Sequence, residues 1–313
     1  MGEAGFVSGM KILFTIYRWF GRWPFRIALY PVLAWYVLTR PVARRASREY
    51  LGKLYAYSAG KTPAPNMLNV LRHFGAFAET LLDKLLVWSA PERMGLVNME
   101  GSVIVREMMA RGQGGVIMVS HIGNFELCRA MAKRRNKGMK LNIFVHTRHA
   151  ERFNRLLREL APDSQLDLIQ VTDFSPATAV MLSEKVARGE FIIIAGDRVP
   201  VTQGPVLNVS FLGAEAPMPF GPYLIASMLH CPLLALIAHR DQQGTHVHVR
   251  ELAAEVRLPR GKREIAAQAL AQQFADELAQ ACCATPLQWF NFFPFWNTPE
   301  ADPAPRVSPQ EPA

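Results

Sequence analysis

From Val97 onward, short apolar runs alternate with stretches of helical periodicity, and this alternation constrains the fold more than any other feature of the chain. The runs at 116–120, 191–195 and 233–238 carry almost no polar side chains. A strand without a polar face has to be covered on both sides. Further strands are expected at 97–100, 141–146, 167–171 and 246–250, with 206–212 as an edge strand. Between them the 3.6-residue period predicts helices up to residue 110 and over 125–135, 151–160, 176–189, 221–229 and 262–282. Strands alternating with helices imply an α/β sheet with helices on both faces.

The first hundred residues read differently. Asn66 is placed to cap a helix whose apolar positions Leu68, Leu71, Phe74, Phe77, Leu81, Leu82 and Leu85 follow the helical period, and another helix is expected to end near Tyr57. Earlier still, Arg18, Arg22 and Arg26 recur every fourth residue among Phe14, Tyr17, Trp19, Phe20, Trp23 and Phe25. The apolar run from there to Thr39 is only about 13 residues and contains Pro31, short of the roughly 20 needed to span a bilayer. Basic residues interleaved with aromatics at helical spacing suit a helix lying among lipid headgroups. A core-packing helix with its arginines in water is the plainer alternative, and a single membrane anchor a third. No secretory signal is expected, because the first ten residues lack a basic start and no small-residue cleavage site follows the apolar stretch. The chain thus divides into a basic-aromatic segment at 1–60, an α/β domain at 61–298 and a disordered tail at 299–313, rich in Pro, Glu and Ala.

With half its residues hydrophobic, the chain can build a large core. Its net charge of +9 calls for an anionic partner: nucleic acid, anionic lipid or an acidic carrier protein. The basic residues mix with membrane-type aromatics and no nucleic-acid module appears, so nucleic acid is not an expected partner. The run Lys133-Arg134-Arg135, with Lys137 and Lys140, suits an acidic carrier or lipid, or simply a solvated helix end. Cys128, Cys231, Cys282 and Cys283 form no C-x-x-C pair, so a reducing compartment and buried thiols are expected. There is no G-x-S-x-G elbow, P-loop or G-x-G-x-x-G turn.

The sharpest chemical feature is Ser120-His121-Ile122-Gly123-Asn124-Phe125-Glu126, which follows an apolar strand and opens a helix. His121 therefore stands at the C-terminal end of a strand, where open α/β sheets build their sites. Glu126 lies five residues on, in the first helical turn, and a bend at Gly123 lets its carboxylate reach back to the imidazole. A carboxylate on one ring nitrogen fixes the tautomer and raises the basicity of the other, as a general base requires. The bland alternative is a polar residue closing a strand and a Glu favouring a helix N-terminus. His146-x-x-His149 with His121 and Asp197 has metal-ligand chemistry, but no second tight ligand pair accompanies it, and no metal is expected.

These residues carry a resemblance. His121 with Glu126 resembles the H-x4-D/E motif of the glycerolipid acyltransferase superfamily, and more of the chain is similar to its lipid A lauroyl/myristoyl acyltransferase branch. The block from Gly114-Gly115 through the strand to His121 and Gly123-Asn124-Phe125-Glu126 resembles that branch's first motif. Arg148 followed by Asn154 is similar to the second, Gly189 through Gly196-Asp197-Arg198 to the third, and Phe211-Leu212-Gly213 with Ala216-Pro217 and Gly221 to the fourth. Gln288-Trp289 with Phe292 resembles the closing aromatic segment. Two blocks depart from the branch: His146-Thr147-Arg148-His149 replaces an aromatic-Arg-Pro run, and Asp197-Arg198 replaces Asp-His. The departures resemble the predicted acyltransferases found with aryl-polyene pigment or aminolipid biosynthesis.

The resemblance implies a mixed sheet of the glycerolipid-acyltransferase type, covered by helices, with an N-terminal membrane-associating segment. It also implies acyl transfer from an acyl-carrier-protein or CoA thioester to a hydroxyl or amine of a lipid-like acceptor, without cofactor. His121 would be the general base and Glu126 its partner. Asn124, Arg148, Asn154, Asp197 and Arg198 would bind substrate, the arginines gripping an anionic group and Asp197 positioning one of them or closing a strand turn. The implied location is the cytoplasmic face of a bacterial inner membrane, reached peripherally or by a single anchor. A non-catalytic membrane-associated scaffold of a lipid or pigment pathway is the competing expectation.

Overall fold

The computed structural model describes residues 22–89, 97–126, 139–145, 167–170, 175–199 and 204–296, together with Trp19 and Cys128. Three helices come first: α1 (Arg22–Thr39), α2 (Pro41–Tyr57) and α3 (Met67–Ser89). Asn66 does cap α3, its Oδ1 accepting from the Asn69 amide at 2.9 Å. α1 continues through Pro31 and turns Leu29, Leu33 and Val37, a stripe at every fourth residue, into the core. Its other side is equally apolar: Trp23 is 74% exposed and Trp35 62%, with Ile27, Tyr30 and Leu38 also exposed. No described helix is long and apolar enough to cross a membrane. The side chains of the expected stripe of Arg18, Arg22 and Arg26 lie outside the described residues, as do 299–313.

The remaining elements are β1 (Val97–Glu100), α4 (Ser102–Ala110), β2 (Gly115–Val119), β3 (Leu141–Val145), β4 (Asp167–Gln170), α5 (Pro176–Ala187), β5 (Phe191–Ala195), β6 (Val206–Phe211), β7 (Ala214–Pro219), α6 (Gly221–Met228), β8 (Leu233–Arg240), β9 (Thr245–Ala253) and α7 (Arg263–Ala284). Seven strands form one sheet in the order β1-β9-β8-β2-β5-β3-β4. β8, β2, β5, β3 and β4 run parallel; β9 is antiparallel to β8, and β1 runs with β9. The sheet is mixed and covered by helices, as expected. Successive residues of β2 and β5 enter different cores: Val116, Met118, Ile192 and Ile194 pack with Phe274 and Leu278 of α7, whereas Ile117 and Ile193 pack with Val105 and Met108 of α4.

One expectation is corrected. β6 is not an edge strand of this sheet but half of a separate hairpin with β7. The two are joined at Leu212 and Gly213, both at positive φ (51° and 76°), the conformation that a tight two-residue hairpin turn demands. The hairpin is tied to α7 by the Gln272 amide, which accepts from the Ser210 N–H and donates to its carbonyl.

Candidate active site

β2 and β5 are neighbours in register, Val119 beside Ala195, and the Gly196 amide extends the ladder by bonding the Val119 carbonyl at 2.8 Å. Two residues beyond each strand stand His121 and Asp197, so the parallel register alone brings them side by side. Gly196 packs closely there: a Cβ would crowd Met118 Cε and the Phe274 ring. Gly123, at φ +60°, bends the chain after His121, and a Cβ there would sit 2.1 Å from the Ala238 carbonyl oxygen.

Asp197 grips His121 twice. Its Oδ1 lies 2.7 Å from the ring Nδ1, and its Oδ2 accepts the His121 backbone N–H at 2.7 Å. Oδ2 also accepts the Trp289 indole N–H at 2.9 Å. The carboxylate is 1% exposed. Burial pushes its pKa up, but the His121 charge and the hydrogen bonds from His121 and Trp289 together outweigh burial and hold it below the ordinary carboxylate range. Asp197 therefore stays ionised, Nδ1 carries the hydrogen it shares, and Nε2 is left as the basic nitrogen of the ring. A third of the His121 side chain remains exposed.

The C-terminal segment closes over this pair. Ile122 and Trp289 form an antiparallel bridge, the Phe290 N–H bonds the His121 carbonyl, and the Gly123 N–H bonds the Gln288 carbonyl, each at 2.9 Å. The Gln288 side chain bonds the backbone of Arg240 at the end of β8. Trp289 itself is fully buried, with its carbonyl 2.9 Å from the Nε2 of buried His73.

The carboxylate on Nδ1 is thus Asp197's, whereas the spacing in the sequence points to Glu126. Glu126 lies past the Gly123 bend, partly buried in a first helical turn, whereas Asp197 arrives on the adjacent strand. No sign in the sequence reveals which strands neighbour each other, so the pairing was not readable. The two polar side-chain atoms of Asn124 are buried without partners among the described residues. Arg198 is exposed, its guanidinium 5.4 Å from the Phe293 ring centroid. Arg148 and Asn154 lie outside the described residues, as do His146 and His149. Among the described residues no group of three His, Cys, Asp or Glu side chains could hold a metal ion. The sequence shows Trp289 only as part of an aromatic segment, and His73 only as a lone histidine between Arg72 and Phe74 on a largely apolar helix.

The family model for bacterial lipid A biosynthesis acyltransferases matches residues 69–298, well over half of the chain. The chain belongs to this family. It is therefore an acyltransferase of lipid biosynthesis, and membership implies an acyl donor and a lipid acceptor. Comparison with curated proteins gives no match. The matched span of this acyltransferase includes His121, Asp197 and Trp289 but begins after α1 and α2.

Proposed function

We propose that this acyltransferase moves a fatty or polyene acyl chain from a carrier-protein or CoA thioester to a hydroxyl or amine of a lipid-like acceptor, with His121 as general base. The observation that carries the reading is the His121–Asp197 pair, held at 2.7 Å through Nδ1 with a third of the histidine side chain exposed. Nε2 takes the acceptor's proton as its oxygen or nitrogen attacks the thioester carbonyl. The tetrahedral intermediate then expels the thiolate, to which His121 returns the proton, giving ester or amide and free thiol. Asp197 stabilises the imidazolium between the two transfers. Glu126 adds a second carboxylate in the adjoining helical turn and takes a supporting role. The buried amide of Asn124 supplies a donor beside the reacting atoms. Arg198, with Arg148 and Asn154, holds an anionic portion of donor or acceptor.

The exposed aromatic face of α1 and the charge of +9 support work at the cytoplasmic face of the inner membrane, the helix lying on the surface. The departures at His146–His149 and Arg198 favour an acceptor like those of aryl-polyene or aminolipid acylation. Mass spectrometry of lipid and pigment extracts is the test. Cells making the protein should contain an acylated species that is lost with His121→Ala. Identical extracts from both, with the variant folded and equally abundant, would leave a scaffold as the better account.

A further inference from the structure

We propose that His73 is a positioning residue for the acyl-transfer centre, holding from the N-terminal helical layer the Trp289 segment whose indole fixes Asp197 against His121. The inference rests on the reading of His121 as the base, but its geometry stands independently. His73 lies on α3, fully buried, with Nδ1 2.9 Å from Ser47 Oγ on α2 and Nε2 2.9 Å from the Trp289 carbonyl. A carbonyl only accepts, so Nε2 carries the hydrogen and Nδ1 accepts from the Ser47 hydroxyl. Both ring nitrogens are used and one tautomer is fixed. Burial keeps the ring neutral, lowering its pKa to about 4 against a smaller opposing effect of the Trp289 bond. Tyr50 and Phe292, with centroids at 5.4 and 4.7 Å, wall the ring so that it cannot turn.

Trp289 is where this layer meets the chemistry. Its backbone carbonyl takes the His73 hydrogen and its indole gives one to Asp197 Oδ2. Its neighbours Gln288 and Phe290 hold the His121 loop through backbone bonds. A chain of polar contacts thus runs from Ser47 through His73, Trp289 and Asp197 to His121, drawing on five separate parts of the sequence. An aliphatic side chain would fill the same aromatic cavity but take the His73 donor from the Trp289 carbonyl, leaving it the local Asn291 N–H at 2.9 Å and no tie to α3 through this carbonyl. With that tie to the helical layer gone, the Trp289 segment is free to shift, and the indole and the His121 loop would shift with it.

The experiment compares His73→Leu, His73→Gln and Trp289→Phe in the full chain. One readout is the downfield proton signal of the His121–Asp197 hydrogen bond, measured without substrate and assigned by its absence in His121→Gln. The other is kcat and KM determined separately. His73→Leu should shift or broaden the signal and lower kcat roughly 10- to 100-fold, with KM within about twofold, as expected for a reacting group displaced by a fraction of an ångström. His73→Gln, whose amide N–H can still reach the Trp289 carbonyl, should recover most of both. A folded His73→Leu with the wild-type signal and kcat overturns the inference. Should His73→Leu not fold, Trp289→Phe decides: it keeps the ring and removes the indole donor, and an unmoved signal overturns the inference equally. If instead His121→Ala keeps full activity while the signal still moves in His73→Leu, the reading of His121 as the base fails and the coupling stands.

Discussion

Two buried carboxylates flank β5, Glu190 just before it and Asp197 just after, and they are held by opposite means. Glu190 is met by permanent cations: Lys185 Nζ at 3.3 Å, Arg188 Nε at 3.2 Å and Lys140 at 4.0 Å, with the Asn142 amide at 3.0 Å. Asp197 has no permanent cation among its hydrogen-bond partners; it is held by an indole, a backbone amide and an imidazole. Both carboxyls are held below their ordinary pKa against the upward push of burial. The cations around Glu190 suit a fixed joint at the end of the sheet away from the site. At Asp197 the closest partner is an imidazole rather than a permanent cation. The same strand therefore carries a structural charge cluster at its start and the His121–Asp197 pair at its end.

The largest effect should come from breaking the His121–Asp197 pair. Asp197→Asn keeps the shape but cannot stabilise an imidazolium, and its amide can turn the ring to the wrong tautomer. We expect kcat/KM for acyl transfer to fall by roughly 10²- to 10⁴-fold, with Glu126→Gln falling less. A loss confined to Glu126→Gln, with Asp197→Asn near wild type, would return the partner role to Glu126. Glu190→Gln is the counterpart. Activity per folded molecule should stay within about twofold, while stability drops by roughly 1–3 kcal/mol from the weakened ion cluster. A urea midpoint that does not move would show that the exposed ends of Lys140 and Arg188 contribute nothing there.

Titration of stability separates the carboxylates from the buried imidazoles. Burial lowers the His73 pKa to about 4. His239 is likewise brought to about 4, by burial and by His248 and His246, which stack near it with centroids at 5.3 and 5.4 Å. Folded pKa values below the unfolded value mean that the unfolded chain binds more protons, so stability is complete above about pH 6.5 and declines towards pH 4. For His73 alone the decline approaches roughly 3 kcal/mol. The contributions of Asp197 and Glu190, whose pKa values are also depressed, persist through that window and are lost only as pH falls below about 4. Urea midpoints from pH 7 to pH 3 should therefore show two successive declines, and His73→Gln should reduce the first to the part that His239 contributes. A flat profile between pH 6.5 and 4 would contradict the neutral, buried state of both rings.

How much was legible in the sequence follows from what each feature depends on. β5 was readable to the residue because its apolar run is bounded by Glu190 and Gly196, and α3 because Asn66 caps a strict period. β7 was missed because Pro217 and Pro219 argue against a strand and only pairing with β6 makes it one. His121 announced itself by standing at a strand end before a bend. Its contact with Asp197 did not, because that depends on the order of strands in space. Trp289 and His73 lie 216 residues apart and meet only when the C-terminal segment folds back over the N-terminal helices.

The smallest expected effect concerns the residue next to Asp197. Arg198 is exposed, with its guanidinium 5.4 Å from the Phe293 ring centroid; the Asp197 charge favours its ionised form, but among the described residues the two make no close ion pair like that of Lys185 with Glu190. If it holds an anionic part of donor or acceptor, Arg198→Gln should raise KM about 5- to 10-fold and leave kcat within about twofold. Arg198→Lys should fall between, since it keeps the charge and loses the planar fork. The wild-type KM should also rise with salt, and that rise should be weaker in Arg198→Gln, because an exposed charge acting on a substrate is screened. Equal KM values in all three proteins across the salt series would assign Arg198 to the Phe293 contact alone, leaving His121 and Asp197 to work without a cation beside them from this strand end.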